Sequence, residues 1–177
     1  GKGVILLDAD LEHPPLHSLF GMDNESGFAE LLNGEWDLNG ASHVVKDVEG
    51  LTLIPSGVME KESKTWLNAK KWEQLLLKLQ EQADLVVVDS PRADVADAQI
   101  LASKVNAVLL VIKPGHTRIE PAQTTLKRLQ LTGVWVMGII WNRTQLSRLK
   151  ILPLVKIKLP HKKDTHEING ETRDMPV

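Results

Sequence analysis

The run Val4-Ile5-Leu6-Leu7-Asp8-Ala9-Asp10-Leu11-Glu12-His13-Pro14 decides the fold. Four aliphatic residues in succession leave no room for polar alternation, so they read as a strand buried on both faces of a parallel sheet. Asp8 and Asp10 then emerge at its carboxyl end, the edge at which open α/β sheets bind their ligands. Leu85-Val86-Val87-Val88 followed by Asp89 repeats the arrangement, and Gly50 to Pro55 (GLTLIP) reads as another strand of the same buried type.

Outward from that strand, Pro14-Pro15 block an immediate helix and leave a short apolar turn around Leu16, Leu19 and Phe20. Residues 27–34 (GFAELLNG) read as one short helix with a glycine beyond its end. Residues 38–45 read as another short helix. Between 63 and 83 the residues Trp66, Leu67, Trp72, Leu75, Leu76 and Leu79 recur at helical spacing, which predicts a long crossover helix. A helix over 94–103 follows, with Val95, Ala98, Ile100, Leu101 and Ala102 as its packing residues. A strand over 107–112, a helix over 117–131 and a strand over 134–141 that ends on Asn142 complete the series. The alternation implies right-handed βαβ units, hence an α/β fold with one mostly parallel sheet and helices on both faces.

The composition, 177 residues with 42% hydrophobic and 25% charged, suits a single domain with a real core. No apolar run approaches the roughly 18 residues of a membrane span. The absence of cysteine excludes disulfides and thiolate metal sites and agrees with a cytoplasmic setting. The net charge of −2 divides unevenly, since residues 143–177 hold 8 basic and 4 acidic side chains and the remainder 13 and 19. Within 143–163 seven Lys or Arg alternate with aliphatic residues and no acid, and Pro153 and Pro160 limit any helix. Three readings of this flank stay open: an irregular edge of the body, a contact for an anionic membrane surface or acidic partner, or a non-native end. It lacks the aromatic platform of a nucleic-acid binder. Residues 164–177 read as a polar disordered tail.

Two strands that each deliver an aspartate to one edge suit a magnesium-nucleotide site, because Mg²⁺ keeps several waters and takes one or two carboxylates plus phosphate oxygens. Asp8, Asp10 and Asp89 are the candidate metal residues. A strand-end aspartate also caps the turn that follows it, and the residues alone leave both roles open. The six histidines have no metal-ligand spacing on one element, and Pro14-Pro15 separate His13 from His17. Ser90 lacks the glycine-flanked elbow of a hydrolase nucleophile. The five tryptophans, at 36, 66, 72, 135 and 141, read as core or half-buried anchors, with Trp141 beside Asn142 a candidate for stacking on a base.

In order and spacing, VILLDADLEHPPLHSLFG (4–21), GFAELLNGE (27–35), LTLIPSG (51–57), LVVVDSPR (85–92) with Asp97-Ala98, VLLVIKPG (108–115) and GIIWN (138–142) resemble one family. It is that of the bacterial tyrosine autokinases (BY-kinases) and capsular or exopolysaccharide chain-length regulators, which are deviant-Walker P-loop ATPases of the MinD/ParA type. The resemblance implies catalytic and metal-holding roles for Asp8 and Asp10, a water-mediated magnesium contact for Asp89, and a purine contact for Asn142. It implies ATP and Mg²⁺ as cofactors, self-association, and a membrane polysaccharide co-polymerase as partner, at the inner face of the membrane.

The sequence departs from that family in three ways. The family's phosphate loop, ending in Gly-Lys-Ser/Thr, lies well upstream of the Asp8 strand, whereas this sequence starts seven residues before Asp8, and its Gly1-Lys2 leads into a strand. The strand belonging to that loop is expected at the centre of the sheet, beside the Asp89 strand. Glu12 stands where the family carries arginine, a swing of two charges that could cost on the order of a few kcal/mol in nucleotide affinity. There is no tyrosine, so tyrosine autophosphorylation is not carried over. The expectation is an incomplete P-loop ATPase-like domain over 1–142, inactive alone, with 143–177 as flank and tail. Two other readings stand beside it: a non-catalytic interaction module, and a MinD/ParA-type spatial regulator whose basic tail binds membrane or DNA.

Overall fold

The computed structural model describes residues 1–58 and 68–142. The predicted helix start with Trp66 and Leu67, and the whole of 143–177, lie outside the described residues. In chain order the elements are β1 (Val4–Asp8), α1 (Leu16–Leu19), α2 (Phe28–Asn33), α3 (Leu38–Ala41), β2 (His43–Val44), β3 (Leu51–Ile54), α4 (Ala69–Gln82), β4 (Leu85–Asp89), α5 (Ala96–Ala102), β5 (Ala107–Ile112), α6 (Ile119–Leu131) and β6 (Trp135–Trp141). The residues predicted as one helix over 38–45 divide instead. Asp37 caps α3 by accepting from the Gly40 N–H at 2.8 Å, and His43–Val44 then pair antiparallel with β3. The β-branched Val44 and Val45 favour that outcome over a continued helix.

β1 lies between β3 and β4, parallel to both, in a sheet of order β2-β3-β1-β4. Successive side chains of a strand point to opposite faces, and β1 supplies two cores. Ile5, Leu7 and Ala9 join Phe28, Leu32, Ile54, Trp72, Leu75, Leu76, Leu79 and Leu101 on one face. Leu6 packs with Leu16, Val45 and Leu53 on the other. Trp72 is the anchor of the larger core: it is fully buried, meets Phe28 edge to face at 5.8 Å, and donates its indole N–H to the Leu101 carbonyl at 3.0 Å.

The expected α/β class with mostly parallel strands holds, and the described strands fall in two sheets. β5 and β6 form their own parallel two-stranded sheet, and among the described residues β4 is paired on the β1 side alone. Val86 and Val88 of β4 pack on the larger core, but Leu85 and Val87 are 54% and 43% exposed, as are Leu109 and Val111 of β5 to similar degrees. An aliphatic run therefore does not guarantee two covered faces, since coverage depends on what packs beside it. The open side of β4 is where the resemblance placed a further strand. Among the tryptophans, Trp72 is core, whereas Trp36, Trp135 and Trp141 are 42% to 59% exposed. No helix among the described residues is long and apolar enough to cross a membrane.

Candidate functional site

The parallel register of β1 and β4 sets Asp8 directly opposite Asp89. The Ala9 N–H donates to the Asp89 carbonyl at 2.8 Å, so the pairing continues one residue past the strand and carries Asp10 over the same edge. β3 ends beside them, and its exit loop, Pro55 to Val58, leaves from the same side of the sheet.

Asp8 is fully buried, and both of its carboxylate oxygens already accept main-chain hydrogen bonds: Oδ2 from the Leu16 N–H at 3.0 Å and Oδ1 from the Asp10 N–H at 3.2 Å. It thereby ties the Pro14-Pro15 turn to the strand end, the capping role that the sequence left open. Burial pushes its pKa up, the two N–H donors oppose that, the Asp10 charge adds to it and His17 counters it. Asp10 is half-buried and accepts from the His13 N–H at 3.0 Å. Asp89 is half-buried, with its pKa raised first by burial and then by the charges of Asp8 and Asp10. Among the described residues its carboxylate takes no hydrogen bond. Asp97, at the start of α5, is likewise raised by burial and then by Glu12, so Glu12, although exposed, adds its charge to this edge. The nearby Arg92 spends its guanidinium on Asp94 at 2.8 Å, lowering that exposed carboxyl.

Asn142 is placed elsewhere. It follows β6, its N–H donates to the Ile112 carbonyl at 2.9 Å, and its side chain is exposed. The structure thus gathers Asp8, Asp10 and Asp89 at one strand edge, and Asn142 follows the last strand of the second sheet.

Residues that the sequence reading passed over organise the loop beside the carboxylates. Glu30 is buried and accepts from the Gly27 N–H at 2.8 Å and the Val58 N–H at 3.0 Å. The Pro55 and Ser56 carbonyls accept from the Phe28 and Ala29 N–H groups, so the β3 exit loop takes up two donors of the first turn of α2. Asn24 accepts from the Gly57 N–H and the Ser56 hydroxyl and donates to the Gly57 carbonyl. Gly27 admits no Cβ, because one would run into the Pro55 carbonyl; at Gly57 φ is +76° and a Cβ would meet the Glu30 carboxylate. The available signal was a glutamate three residues after a glycine that opens a helix, which has the spacing of a capping box.

Among the described residues no three His, Cys, Asp or Glu side chains converge closely enough to hold a metal directly. The donor set is nevertheless three hard carboxylates on one edge, with Asp89 unbonded and one Asp10 oxygen open, which fits a magnesium ion held through its own waters. A cavity lined by Gly3, Val4, Thr52 and Gln82 opens toward the amino ends of the strands and contains none of these groups.

A parallel α/β sheet that presents aspartates on adjacent strand ends places the chain among the open α/β folds whose ligand edge is the carboxyl end of the strands. Comparison with known proteins gives the family. The sequence is 34% identical over 143 residues to a putative tyrosine-protein kinase EpsB of Ralstonia solanacearum, covering 80% of this chain and 19% of that protein. The structure superposes on the VpsO kinase domain with a TM-score of 0.74 and 30% identity, covering 81% of this chain and 71% of that one. It shares its fold with the MinD cell division protein of Aquifex aeolicus, at a TM-score of 0.67 and 24% identity over 83% of this chain and 58% of that one. No protein-family model matches. The chain belongs to the bacterial tyrosine autokinase family, built on the MinD-like P-loop fold. It spans 19% of the EpsB protein's length and 20% of that of a tyrosine-protein kinase ptk of Acinetobacter johnsonii.

Proposed function

We propose that the chain is part of an ATP- and Mg²⁺-dependent kinase-type domain that regulates exopolysaccharide or capsule biosynthesis, and that these 177 residues alone do not turn over nucleotide. The observation that carries the reading is the pair Asp8 and Asp89, in register on adjacent parallel strands, each with its pKa raised first by burial. Such a cluster of buried like charge is what a divalent cation relieves. Asp89 and Asp10 would hold Mg²⁺ through water, and Asp8 would keep Asp10 in place through the Asp10 N–H. When bound, the metal would neutralise phosphate charge, the main requirement of phosphoryl transfer. Asn142 would contact the purine. The sequence contains no Gly-Lys-Ser/Thr run, so the amides that cradle β- and γ-phosphates are assigned to another segment of the intact protein. Residues 1–142 form the ATPase-like part in this reading. The basic 143–163 segment is assigned to an anionic membrane surface, beside a polysaccharide co-polymerase and neighbouring copies of the chain, on the cytoplasmic side.

A non-catalytic interaction module is the second reading. The occupied oxygens of Asp8 and the added anion of Glu12 favour it.

The test is thermal unfolding of the 177-residue chain with Mg²⁺ titrated in, alongside an ATP hydrolysis assay. The expected result is a Mg²⁺-dependent rise in Tm that Asp89→Ala abolishes, with no hydrolysis. A wild-type Tm indifferent to Mg²⁺ removes the metal site and leaves the interaction module. Hydrolysis of Mg-ATP that disappears in Asp89→Ala overturns the claim that the chain is inactive alone. Co-sedimentation with phosphatidylserine vesicles, lost on deleting 143–177, checks the membrane assignment.

A further inference from the structure

His17 stands on α1, the short helix whose first N–H, that of Leu16, is bound by Asp8 Oδ2. Its ring is half-buried, with Nε2 2.9 Å from the Ser18 hydroxyl. Nδ1 is buried, and no described residue gives it a hydrogen bond. Among the described residues it is the one buried side-chain nitrogen or oxygen in that state. A buried polar atom left without a partner costs on the order of 1–3 kcal/mol, so a side chain held this way calls for a partner from outside the chain.

The surroundings say what kind of partner. His17 is close enough to Asp8 for its charge to oppose the effect of burial there, yet neither Asp8 oxygen hydrogen-bonds to Nδ1. Both of those oxygens accept from main-chain N–H groups, and Asp10 and Asp89 on the same edge also offer only acceptors when ionised. The edge is rich in acceptors and poor in donors. A hydrated divalent cation supplies donors, because water bound to Mg²⁺ gives its oxygen to the metal and turns its hydrogens outward. A neutral imidazole meets such a hydrogen with the Nδ1 lone pair, while Nε2–H donates to the Ser18 hydroxyl.

We infer that His17 is a positioning residue of the magnesium site, its Nδ1 accepting a hydrogen bond from a water in the metal's shell. The inference rests on the reading of the carboxylate edge as a magnesium site and adds to it a neutral nitrogen beside three acids. Asp8 links the two parts, since the carboxylate that ends β1 also fixes the helix that carries the imidazole. Removing the ring leaves the acids in place and takes away one of the acceptors that orient the metal's waters. Outer partners of this kind typically account for about 10–100-fold in metal affinity.

The experiment uses the 177-residue chain, with Mg²⁺ titrated against Tm for wild type, His17→Asn and His17→Leu. The histidine ring nitrogens of the wild type are followed over the same titration by ¹⁵N NMR. Asparagine places an oxygen near the position of Nδ1 and accepts there, whereas leucine fills the space without an acceptor. The expected result is a half-saturating Mg²⁺ concentration that rises roughly tenfold in His17→Leu and stays near the wild-type value in His17→Asn. The Nδ1 resonance of His17 should move with Mg²⁺ on the same curve, with the proton on Nε2 at saturation, while His43 on β2 stays still. Equal Mg²⁺ responses of wild type and His17→Leu overturn the inference and leave the magnesium site standing. Equal losses in the two variants reduce His17 to packing and overturn it too, as does a proton on Nδ1 at saturation. The wild-type resonance decides the matter should either variant fail to fold. A wild type whose Tm and Nδ1 resonance both ignore Mg²⁺ removes the site and the inference together.

Discussion

Replacing Asp89 by asparagine removes one charge from the carboxylate edge while keeping the side chain's shape. The wild-type carboxylate is half-buried, accepts no hydrogen bond among the described residues, and faces Asp8 across one strand spacing. At a strand spacing of roughly 5 Å, repulsion between two unit charges is about 1–3 kcal/mol for an effective dielectric between that of water and that of a protein surface. Asp89→Asn is therefore expected to stabilise the metal-free chain at neutral pH by about that amount, opposite in sign to most substitutions of a half-buried residue. The pH dependence follows from the same charges. The folded-state pKa of Asp89 lies above the ordinary 3.8, so the folded chain holds this proton more tightly than the unfolded chain does. Stability then falls as pH rises through a window that opens near 3.8 and closes at the raised folded value, and the penalty persists at neutral pH. Urea unfolding at several pH values, without divalent cations, checks this. The stabilisation by Asp89→Asn should shrink as the pH is lowered through that window. A variant less stable than wild type at neutral pH, or a gain that does not change with pH, would refute the electrostatic account.

Other outcomes follow from the packing. Trp72→Ala should cost about 3–5 kcal/mol by urea unfolding, since it empties the centre of the larger core and removes the donor to the Leu101 carbonyl. Trp72→Phe should recover part of that loss but still leave the carbonyl without its donor. Glu30→Gln keeps one acceptor oxygen and turns an amide toward the other main-chain N–H, so it should lose about 1–3 kcal/mol and accelerate hydrogen exchange at Gly27 or Val58. Unchanged exchange at both positions would mean that the Glu30 clamp does not hold the loop.

Much of the fold was legible because the strands are short aliphatic runs bounded by turn residues, and the helices β1 needs for its cover carry apolar residues at helical spacing. Asp8 and Asp89 could be placed on one edge from the pattern alone, since each follows such a run and parallel strands share a direction. Asn142 carries a purine contact on the resemblance alone, and in the structure it follows β6, its N–H donating to the Ile112 carbonyl. Glu30 and Asn24 escaped notice because their partners are main-chain groups about thirty residues away, Val58 for Glu30 and Gly57 for Asn24, and a sequence pattern does not report such partners.

The sequence by itself determined the order and type of nearly every element and the chemical identity of the acidic edge, because local periodicity and turn chemistry act over a few residues. Only the tertiary structure decided which aliphatic strands gain a second covered face, and that both oxygens of Asp8 serve the backbone while Asp89 takes no hydrogen bond among the described residues. Each of those depends on what packs against a residue from a distant part of the chain. Similar strands therefore end in different environments.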